Sequence, residues 1–294
     1  TVRVRGEEEK LIINGSEVKI IYSDSPDSIN YHNYEIKNAL LIDNTGVWTD
    51  QEGLSKHLSC EGIDKVLLTA PAKGEIKNIV HGINNNTISA KDKILGAASC
   101  TTNAIVPVLK VLNDEFGILS GHIETVHSYT NDQNLLDNFH MKSRRGRSAA
   151  LNLVITETGA GKAVGKVLPE LEGKLTANAI RVPTPNVSLA IMKLELGQKI
   201  DTSTLNNFLR QMAFHSTYKD QIDFTNSTEI VSSDFVGNRY AGIIDSAATI
   251  CTGKQCVLYV WYDNEFGYTV QLLGLAKELV GITYKRYPDY QKTT

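Results

Sequence analysis

Short apolar runs alternate with a helical stretch through the first hundred residues. Residues 39–43, 65–69, 78–83 and 94–97 are rich in apolar side chains, which predicts buried strands. Residues 50–60 have apolar positions at helical spacing. The order strand, helix, strand is typical of a parallel sheet covered by helices. We therefore expect an α/β unit in this part of the chain.

The pattern changes after residue 120, where several runs alternate apolar and polar positions. This alternation predicts strands with one buried face, and runs of strands with helices set aside are typical of a mixed α+β domain. The predicted strands are 123–128, 178–182, 188–196, 242–244 and 256–262. The predicted helices are 101–113, 160–168, 202–213 and 272–279.

One candidate nucleophile lies at the start of a predicted helix. The run 98–103 (Ala-Ser-Cys-Thr-Thr-Asn) leads into an apolar stretch and places Cys100 at the helix mouth. Unpaired backbone N–H groups and the helix dipole favour a thiolate there. His127 could complete a Cys/His pair for covalent catalysis. The alternative is that Cys100 is a small core hydrophobe and His127 a core histidine at a strand end.

Composition narrows the class of protein. The chain has 294 residues, of which 41% are hydrophobic, so it can bury a large core. A net charge of -3 gives no electrostatic reason to expect nucleic acid or a membrane surface as a partner. The sequence has no apolar stretch long enough to span a membrane and no secretory leader pattern. The acidic run 7–9 is expected to be a solvated turn.

Cysteine usage indicates a reducing compartment. Four irregularly spaced cysteines do not form a disulfide framework. Cys251 and Cys256 lack a second pair of ligands, so we expect no zinc site and no other metal site. Free thiols in a cytoplasmic protein fit this pattern best.

Further motifs follow in a fixed order along the chain. They are 11–15 (Leu-Ile-Ile-Asn-Gly), 44–49 (Asn-Thr-Gly-Val-Trp-Thr), 69–71 (Thr-Ala-Pro), 127–133, 144–147, 158–160, 168–171, 181–188, 231–235 and 261–268. Together with the run 98–103, their order resembles phosphorylating glyceraldehyde-3-phosphate dehydrogenase. The resemblance extends from about residue 11 to residue 279 and is strongest from Ala98 onward.

The resemblance implies a fold class of α/β plus α+β. A partial Rossmann-type, parallel-sheet cofactor domain is expected over 1–99 and is completed by the C-terminal helix 265–294. A mixed-sheet catalytic domain is expected over 100–264. The long loop 134–148, rich in arginine, lies at a subunit interface in the family, so a homotetramer is expected.

The glycine-rich phosphate-binding unit of the family is not found in this sequence. Family members open with a strand, a G-x-G-x-x-G turn and a helix, followed roughly 20 residues later by an acidic residue that binds ribose. The run most similar to this motif is 158–164, but it has Val164 where the third glycine is required. It also fails as a P-loop, because Thr156 stands where the first glycine is required and Ala163 where a serine or threonine is required. We therefore expect the chain to enter the family pattern after this unit and to hold a dinucleotide pyrophosphate poorly.

By resemblance, Cys100 and His127 are the catalytic pair. The Cys100 thiolate would attack an aldehyde, and His127 would remove the hydroxyl proton during hydride transfer. The Cys100 backbone N–H is the natural donor to the oxyanion. The residues implied to bind the substrate phosphate and the attacking inorganic phosphate are Ser99, Thr101, Thr130, Asp132, Arg145, Thr158, Gly159 and Arg181.

The implied cofactor is NAD or NADP, and the implied substrate is a phosphorylated aldehyde. Asn264 would hydrogen-bond the nicotinamide carboxamide, with Tyr268 in a neighbouring position. The other residues implied to bind the cofactor follow two predicted strands, and they are Asn44, Thr45, Gly46, Thr69 and Ala70. Ligands bind beyond the carboxyl ends of parallel strands, which is consistent with this position.

Three alternatives to a triose phosphate dehydrogenase remain open. One is erythrose-4-phosphate dehydrogenase, although Thr158, Gly159 and the stretch 181–185 look more like the triose enzyme. A second is a thiol hydrolase that acts on acyl phosphates or esters without a dinucleotide. A third is a non-catalytic interaction protein on the same fold.

Overall fold

The computed structural model describes residues 2–5 and 9–283. Within them the strands are β1 (Val2–Arg5), β2 (Lys10–Ile13), β3 (Ser16–Lys19), β4 (Ala39–Asp43), β5 (Ile63–Leu68), β6 (Ile94–Gly96), β7 (Ile118–Ser128), β8 (Val154–Glu157), β9 (Leu175–Val182), β10 (Ser188–Leu196), β11 (Ile222–Thr225), β12 (Gly242–Asp245), β13 (Ile250–Thr252) and β14 (Gln255–Tyr262). The α-helices are α1 (Gln51–Leu58), α2 (Cys100–Phe116), α3 (Ala160–Val167), α4 (Thr202–His215) and α5 (Phe266–Leu279).

Strands β4, β5 and β6 form a parallel sheet that is covered on both faces. Leu67 and Leu95 pack with Leu275 of α5 on one face. Val66 packs with Leu54 of α1 on the opposite face. Alternate residues of a strand point to opposite faces, so β5 needs apolar side chains at successive positions. This explains the unbroken apolar run 66–68 in its second half.

The larger sheet is mixed. Its strand order is β11-β12-β14-β10-β7-β9-β8, and β13 pairs with β14 at its side. The pairs β7–β9 and β11–β12 are parallel, and the other pairs on this path are antiparallel. A parallel-sheet region and a separate mixed sheet confirm the predicted fold class.

Helix α2 packs against the mixed sheet. It follows β6 after three residues, and its side chains are buried almost without interruption from Thr101 to Leu112. Ile105 and Leu109 are fully buried and belong to the same core cluster as Leu194 and Leu258 of the mixed sheet. A helix buried on most of its surface must be apolar nearly all round, as this one is.

One predicted strand is wrong. Residues 78–83 form turns, and only Asn78 makes an isolated bridge to Gly96. The Asn78 side chain accepts a hydrogen bond from the Ala72 N–H at 2.8 Å and donates to the Ala72 carbonyl at 3.2 Å. The side-chain oxygen of Asn84 accepts from the Val80 N–H at 2.9 Å. Beyond the bridge to Gly96, the side chains of Asn78 and Asn84 bond backbone groups of this region, which an apolar count does not reveal.

The other predicted elements occur, with shifts at their ends. Helix α5 begins at Phe266, six residues before the predicted start, and ends at Leu279. Residues 284–294 of the expected C-terminal helix lie outside the described residues, as do Glu7 and Glu8 of the predicted acidic turn. The short strands β1, β2, β3, β8, β11 and β13 were not predicted. The loop 134–148 is irregular apart from a 3-10 turn at Ser143–Gly146.

We predict that α5 contributes to stability mainly through its inner face. Leu275 is 1% exposed and Leu273 of the same helix is 43% exposed. Leu275→Ala should lower the free energy of unfolding by about 2–5 kcal/mol through lost burial and the cavity left behind. Leu273→Ala, the matched control, should change it by less than about 0.5 kcal/mol. Urea unfolding followed by circular dichroism measures both, and equal losses would contradict the packing described.

Candidate functional site

Cys100 is held at the edge of the parallel sheet by a sharp strand-to-helix turn. Ala98 has a left-handed φ of 56°, which turns the chain from β6 into α2. Ser99 is the N-cap of α2, and its Oγ accepts a hydrogen bond from the Thr102 N–H at 3.1 Å. Cys100 therefore follows the carboxyl end of a parallel strand, where α/β proteins bind ligands.

Three side chains from three elements meet at this turn. The Cys100 sulfur lies 3.8 Å from His127 Nε2 at the end of β7. Asn264 Nδ2, just after β14, lies 3.7 Å from the sulfur and 3.4 Å from His127 Nε2. His127 and Asn264 are buried, whereas Cys100 is half-buried. The structure thus brings together the predicted nucleophile, the predicted base and an amide donor.

Two serines fix the orientation of the Asn264 amide. Ser128 donates its hydroxyl to Asn264 Oδ1 at 3.0 Å, and Ser188 donates to the same oxygen at 2.8 Å. The backbone N–H of Asn264 donates to Asn186 Oδ1 at 3.1 Å. Because Oδ1 accepts both hydroxyl protons, the amide NH₂ group must face Cys100 and His127.

His127 presents an unprotonated nitrogen to the sulfur. Its Nδ1 lies 2.7 Å from the Ser128 carbonyl oxygen, which can only accept, so we assign the ring proton to Nδ1. Arg181 Nη1 also lies 2.9 Å from this nitrogen, but it donates its two protons to the Ser128 carbonyl and to Thr130 Oγ1. Burial, together with the charge of Arg181, lowers the pKa of His127 to about 4. The ring is therefore neutral at neutral pH, with its Nε2 lone pair toward Cys100.

Burial also affects the thiol. It raises the pKa of Cys100, although hydrogen bonds from Asn264 and Thr101 and the charge of Arg181 oppose the rise. The expectation of a thiolate from the helix N-terminus alone is therefore incomplete. A neutral thiol beside a neutral imidazole requires His127 to take the proton when the sulfur reacts.

A cluster of charged and hydroxyl groups extends from His127 toward the surface. Arg181 Nη1 donates to the Ser128 carbonyl and to Thr130 Oγ1, both at 3.0 Å. Asp132 accepts a hydrogen bond from Thr130 and forms an ion pair with Arg145. Burial raises the pKa of Asp132, but Thr130 and the two arginines outweigh this and hold the pKa below its usual range.

One donor of this cluster has no partner. Arg181 Nε is buried without a hydrogen bond among the described residues. An unpaired buried N–H is costly, so such a group is expected to meet a ligand or water. Two guanidinium groups close to one carboxylate form a site that suits a phosphate.

The remaining predicted phosphate-binding residues lie at two helix starts. Ser99 and Gly159, the N-cap of α3, line a common cavity of about 230 Å³. Thr158 Oγ1 accepts from the Ala160 N–H at 3.3 Å. Arg145 Nη2 donates to the Glu157 carbonyl at 3.4 Å, next to Thr158. Thr101 is placed differently, because its hydroxyl lies 2.8 Å from the buried Tyr262 hydroxyl.

The predicted cofactor residues lie at the same sheet edge as Cys100. The segment 44–46 follows β4, and Thr69 and Ala70 follow β5. Gly46 has a φ of 74° and open space around the position of a Cβ. The hydroxyl of Tyr268 donates to the Ala98 carbonyl at 3.0 Å, beside the Cys100 turn.

The carboxyl edge of the parallel sheet suits the nicotinamide half of a dinucleotide. It offers backbone groups, a threonine at the end of each of two strands and the Asn264 amide close to the sulfur. The described residues before β4 form an antiparallel sheet and two 3-10 turns, so they contain no glycine-rich turn opening a helix. The residues present therefore fit the nicotinamide end better than the pyrophosphate.

A buried contact between an aspartate and a histidine supports the turn after β4 and was missed by sequence reasoning. Asp43 Oδ2 lies 3.0 Å from His57 Nε2. Asp43 Oδ1 accepts from the N–H and the hydroxyl of Thr45 at 2.8 and 2.7 Å. Trp48 packs edge-on against the His57 ring. Nothing in the sequence links His57 to Asp43, which lies 14 residues earlier.

The serines that orient Asn264 were also missed. Ser188 stands within the motif 181–188, but nothing in the motif shows that its hydroxyl reaches a residue 76 positions further on. The pairing of β10 with both β7 and β14 brings the three positions together. Register between distant strands is the information that a single sequence lacks.

This arrangement is chemically suited to covalent catalysis. A thiol, a neutral imidazole and an amide donor can form and break a bond to a carbonyl carbon. The arginine cluster next to them can hold anionic groups on the same substrate.

Comparisons with known proteins identify one family. A family model described as glyceraldehyde 3-phosphate dehydrogenase, C-terminal domain, matches residues 99–264. A glyceraldehyde-3-phosphate dehydrogenase-like protein of Pseudomonas aeruginosa (strain UCBPP-PA14) is 60% identical over 288 residues, which are 98% of this chain and 62% of that protein. The chain thus spans less than two thirds of that relative's length.

Two further relatives are covered more fully. Glyceraldehyde-3-phosphate dehydrogenase 2 of Trichormus variabilis is 41% identical over 278 residues, 94% of this chain and 81% of the relative. Glyceraldehyde-3-phosphate dehydrogenase of Borreliella burgdorferi is 40% identical over 284 residues, 95% of this chain and 84% of the relative. Among residues 2–5 and 9–283, none of the helices has the length and apolar character needed to cross a membrane.

We predict that buried His127 makes stability depend on pH. Its folded pKa of about 4 lies below the ordinary value of 6.5, so the unfolded chain binds the proton first as pH falls. The stability that the neutral imidazole contributes is fully present above pH 6.5, the ordinary pKa. It is lost as the pH falls toward about 4, the pKa in the folded protein. Between about pH 7 and about pH 4.5, wild type should lose about 2 kcal/mol more than His127→Asn does.

Urea unfolding at both pH values measures this difference. Titration of the carboxylates affects both proteins alike, so the comparison isolates the imidazole. Equal losses in the two proteins would mean that His127 is charged in the folded state.

Proposed function

The chain belongs to the glyceraldehyde-3-phosphate dehydrogenase family, and we propose that it oxidises glyceraldehyde 3-phosphate to 1,3-bisphosphoglycerate. The observation that carries the proposal is the meeting of Cys100, His127 and Asn264 at the carboxyl edge of the parallel sheet. The cofactor is NAD or NADP, and the second substrate is inorganic phosphate.

The first step forms a bond between sulfur and carbon. Cys100 attacks the aldehyde carbon while His127 Nε2 takes the thiol proton and then gives it to the oxyanion, which leaves a hemithioacetal and a neutral imidazole. The Cys100 backbone N–H, at the start of α2, and the Asn264 NH₂ group donate hydrogen bonds to the developing oxyanion. Asn264 can do this because the two serines leave only its NH₂ group facing the sulfur.

The second step oxidises the carbon bound to sulfur. The nicotinamide dinucleotide, when bound, supplies the hydride acceptor. His127 removes the hydroxyl proton as the carbon–hydrogen bond breaks, and a thioester remains on Cys100. The residues that would hold the cofactor are Asn44, Thr45, Gly46, Thr69, Ala70, Asn264 and Tyr268.

The third step releases the product. An oxygen of inorganic phosphate attacks the thioester carbon, the carbon–sulfur bond breaks, and protonated His127 returns its proton to the sulfur. Arg181 stands between the two phosphates and offers its unpaired Nε. Thr130 and Asp132 flank the substrate phosphate, and Ser99, Arg145, Thr158 and Gly159 serve the attacking phosphate.

We also propose a division of labour along the chain. Residues 1–99, with the helix that begins after Glu265, present the cofactor, and residues 100–264 carry the catalytic groups. In support, Leu272 and Leu275 of α5 pack against the parallel sheet.

The proposed assembly is a cytoplasmic homotetramer. The arginine-rich loop and its neighbours expose several large apolar side chains, which an interface would cover. They are Leu135, Leu136, Phe139, Met141, Leu151 and Leu153.

The acyl half-reaction tests the proposal without the dinucleotide. We predict that 1,3-bisphosphoglycerate acylates Cys100 and releases inorganic phosphate, the reverse of the third step. Intact-mass measurement and peptide mapping should locate the acyl group on Cys100. Cys100→Ser should abolish acylation at this position, because a neutral hydroxyl beside this imidazole is a far weaker nucleophile.

Cys251→Ser is the matched control, since Cys251 lies outside the site. It should acylate at the wild-type rate. Acyl transfer to another residue, or none in the folded wild-type protein, would overturn the proposed role of Cys100.

A second prediction concerns recognition of the phosphate. Arg181→Lys should raise the concentration of 1,3-bisphosphoglycerate needed for half-maximal acylation about 10- to 100-fold, the effect of losing about 1.5–3 kcal/mol of charged hydrogen bonding. Arg210→Lys, on the exposed side of α4, is the control and should leave it unchanged. An unaltered concentration dependence in Arg181→Lys would remove Arg181 from the phosphate site.

A further inference from the structure

Two of the four cysteines face each other across a tight hairpin. Strands β13 and β14 are antiparallel, and Cys251 pairs directly with Cys256 in their register. Only Gly253 and Lys254 lie between the last pair of the ladder, Thr252 and Gln255. Directly opposed residues point to the same face of a sheet, so both thiols lie on one side.

The backbone identifies this pair as non-hydrogen-bonded. The Leu196 N–H of β10 donates to the Lys254 carbonyl at 2.8 Å, so the backbone groups of Lys254 point toward β10. Two residues further on, those of Cys256 point the same way and away from Cys251. Non-hydrogen-bonded pairs have Cα atoms about 4.5 Å apart, within the range of about 4.4–6.8 Å that disulfides span.

The turn geometry supports the same assignment. Gly253 has a φ of 63°, and Lys254 is not among the residues with positive φ. A positive φ at the first central position only is typical of a type II′ turn, which closes two-residue hairpins with a hydrogen-bonded pair next to the turn. That pair is Thr252 with Gln255, so the following pair is the cysteines.

We propose that Cys251 and Cys256 are a thiol–disulfide exchange site that closes into a cross-strand disulfide on reaction with a low-molecular-weight disulfide such as oxidised glutathione. The site is separate from Cys100 and does not depend on the function proposed above.

The chemistry balances without any further reactant. The Cys251 thiol loses its proton and attacks one sulfur of glutathione disulfide, which forms a mixed disulfide and expels one glutathione thiolate. Cys256 then loses its proton and attacks the Cys251 sulfur, which expels the second thiolate. The two thiolates take up the two protons. The protein dithiol is oxidised by two electrons, and the reagent is reduced to two thiols.

Burial determines which thiol reacts first. Cys251 is half-buried, whereas Cys256 is 1% exposed in the main core, so only Cys251 can meet a reagent from solvent. Burial raises the pKa of both thiols, and the neighbouring Cys251 raises the pKa of Cys256 further. The first attack is therefore slow at neutral pH, and closure by the adjacent Cys256 is favoured by proximity.

The expected role is redox chemistry and not stabilisation. A disulfide stabilises mainly by closing a loop in the unfolded chain, and the loop here is among the shortest possible. The bond would form at the start of β14, whereas Asn264 lies past the other end of the same strand.

Peptide mapping tests the proposal on the folded full chain. Trypsin cuts after Lys254, between the two cysteines, so the disulfide links peptides 240–254 and 255–277. We expect this linked pair, lighter by two hydrogens than the two free peptides, after incubation with oxidised glutathione and acid quenching. A reducing agent should restore both free peptides.

Two variants separate the first attack, by Cys251 on the reagent, from the second attack, by Cys256 on the mixed disulfide. In Cys256→Ala, Cys251 should accumulate glutathione as a mixed disulfide. In Cys251→Ser, Cys256 should remain a free thiol, because it is closed to solvent. Circular dichroism confirms that each variant is folded, and the wild-type map stands without them.

Other outcomes would overturn the proposal. In the wild-type protein these are unmodified Cys251 and Cys256, a mixed disulfide on Cys251 that does not resolve, or a disulfide from Cys251 to Cys60 or Cys100.

Discussion

The start of α2 is the point on which the rest of the site depends. The helix follows the last strand of the parallel sheet after a three-residue turn, and its apolar surface is buried against the mixed sheet. Its N-terminus is therefore fixed at the carboxyl edge of one sheet and beside strand ends of the other. Cys100 lies at this junction because it is the first residue of the helix.

The groups around the thiol are set by the register of three strands. His127, Ser188 and Asn264 come from β7, β10 and the end of β14, which are neighbours in the sheet. Their hydrogen bonds leave one amide NH₂ group and one imidazole lone pair facing the sulfur. Burial keeps the imidazole neutral, and the charged groups needed for anions are one step further out. The arrangement thus separates proton transfer from charge recognition.

The sequence identified the candidate reactive residues better than the residues that orient them. The Cys100 run, His127 and Arg181 could be identified from motifs, and strong apolar runs predicted β4, β5 and β10 well. The apolar run 78–83 wrongly predicted a strand, because the side-chain amides of Asn78 and Asn84 bond the backbone there. The serines that orient Asn264 and the partner of Asp43 could not be found, since their contacts depend on pairing between distant segments. Short edge strands such as β8 and β13 carry too few residues for a clear pattern.

Transfer of the aldehyde hydrogen tests the central claim most directly, namely that a hydride leaves a carbon bound to Cys100 at this sheet edge. Glyceraldehyde 3-phosphate deuterated at the aldehyde carbon is incubated with the protein, phosphate and NAD or NADP, and the reduced cofactor is examined by mass spectrometry. The account predicts deuterium in the reduced cofactor for wild type and none for Cys100→Ser. Cofactor reduced without the label, or no reduction by a protein whose Cys100 is readily acylated, would contradict it.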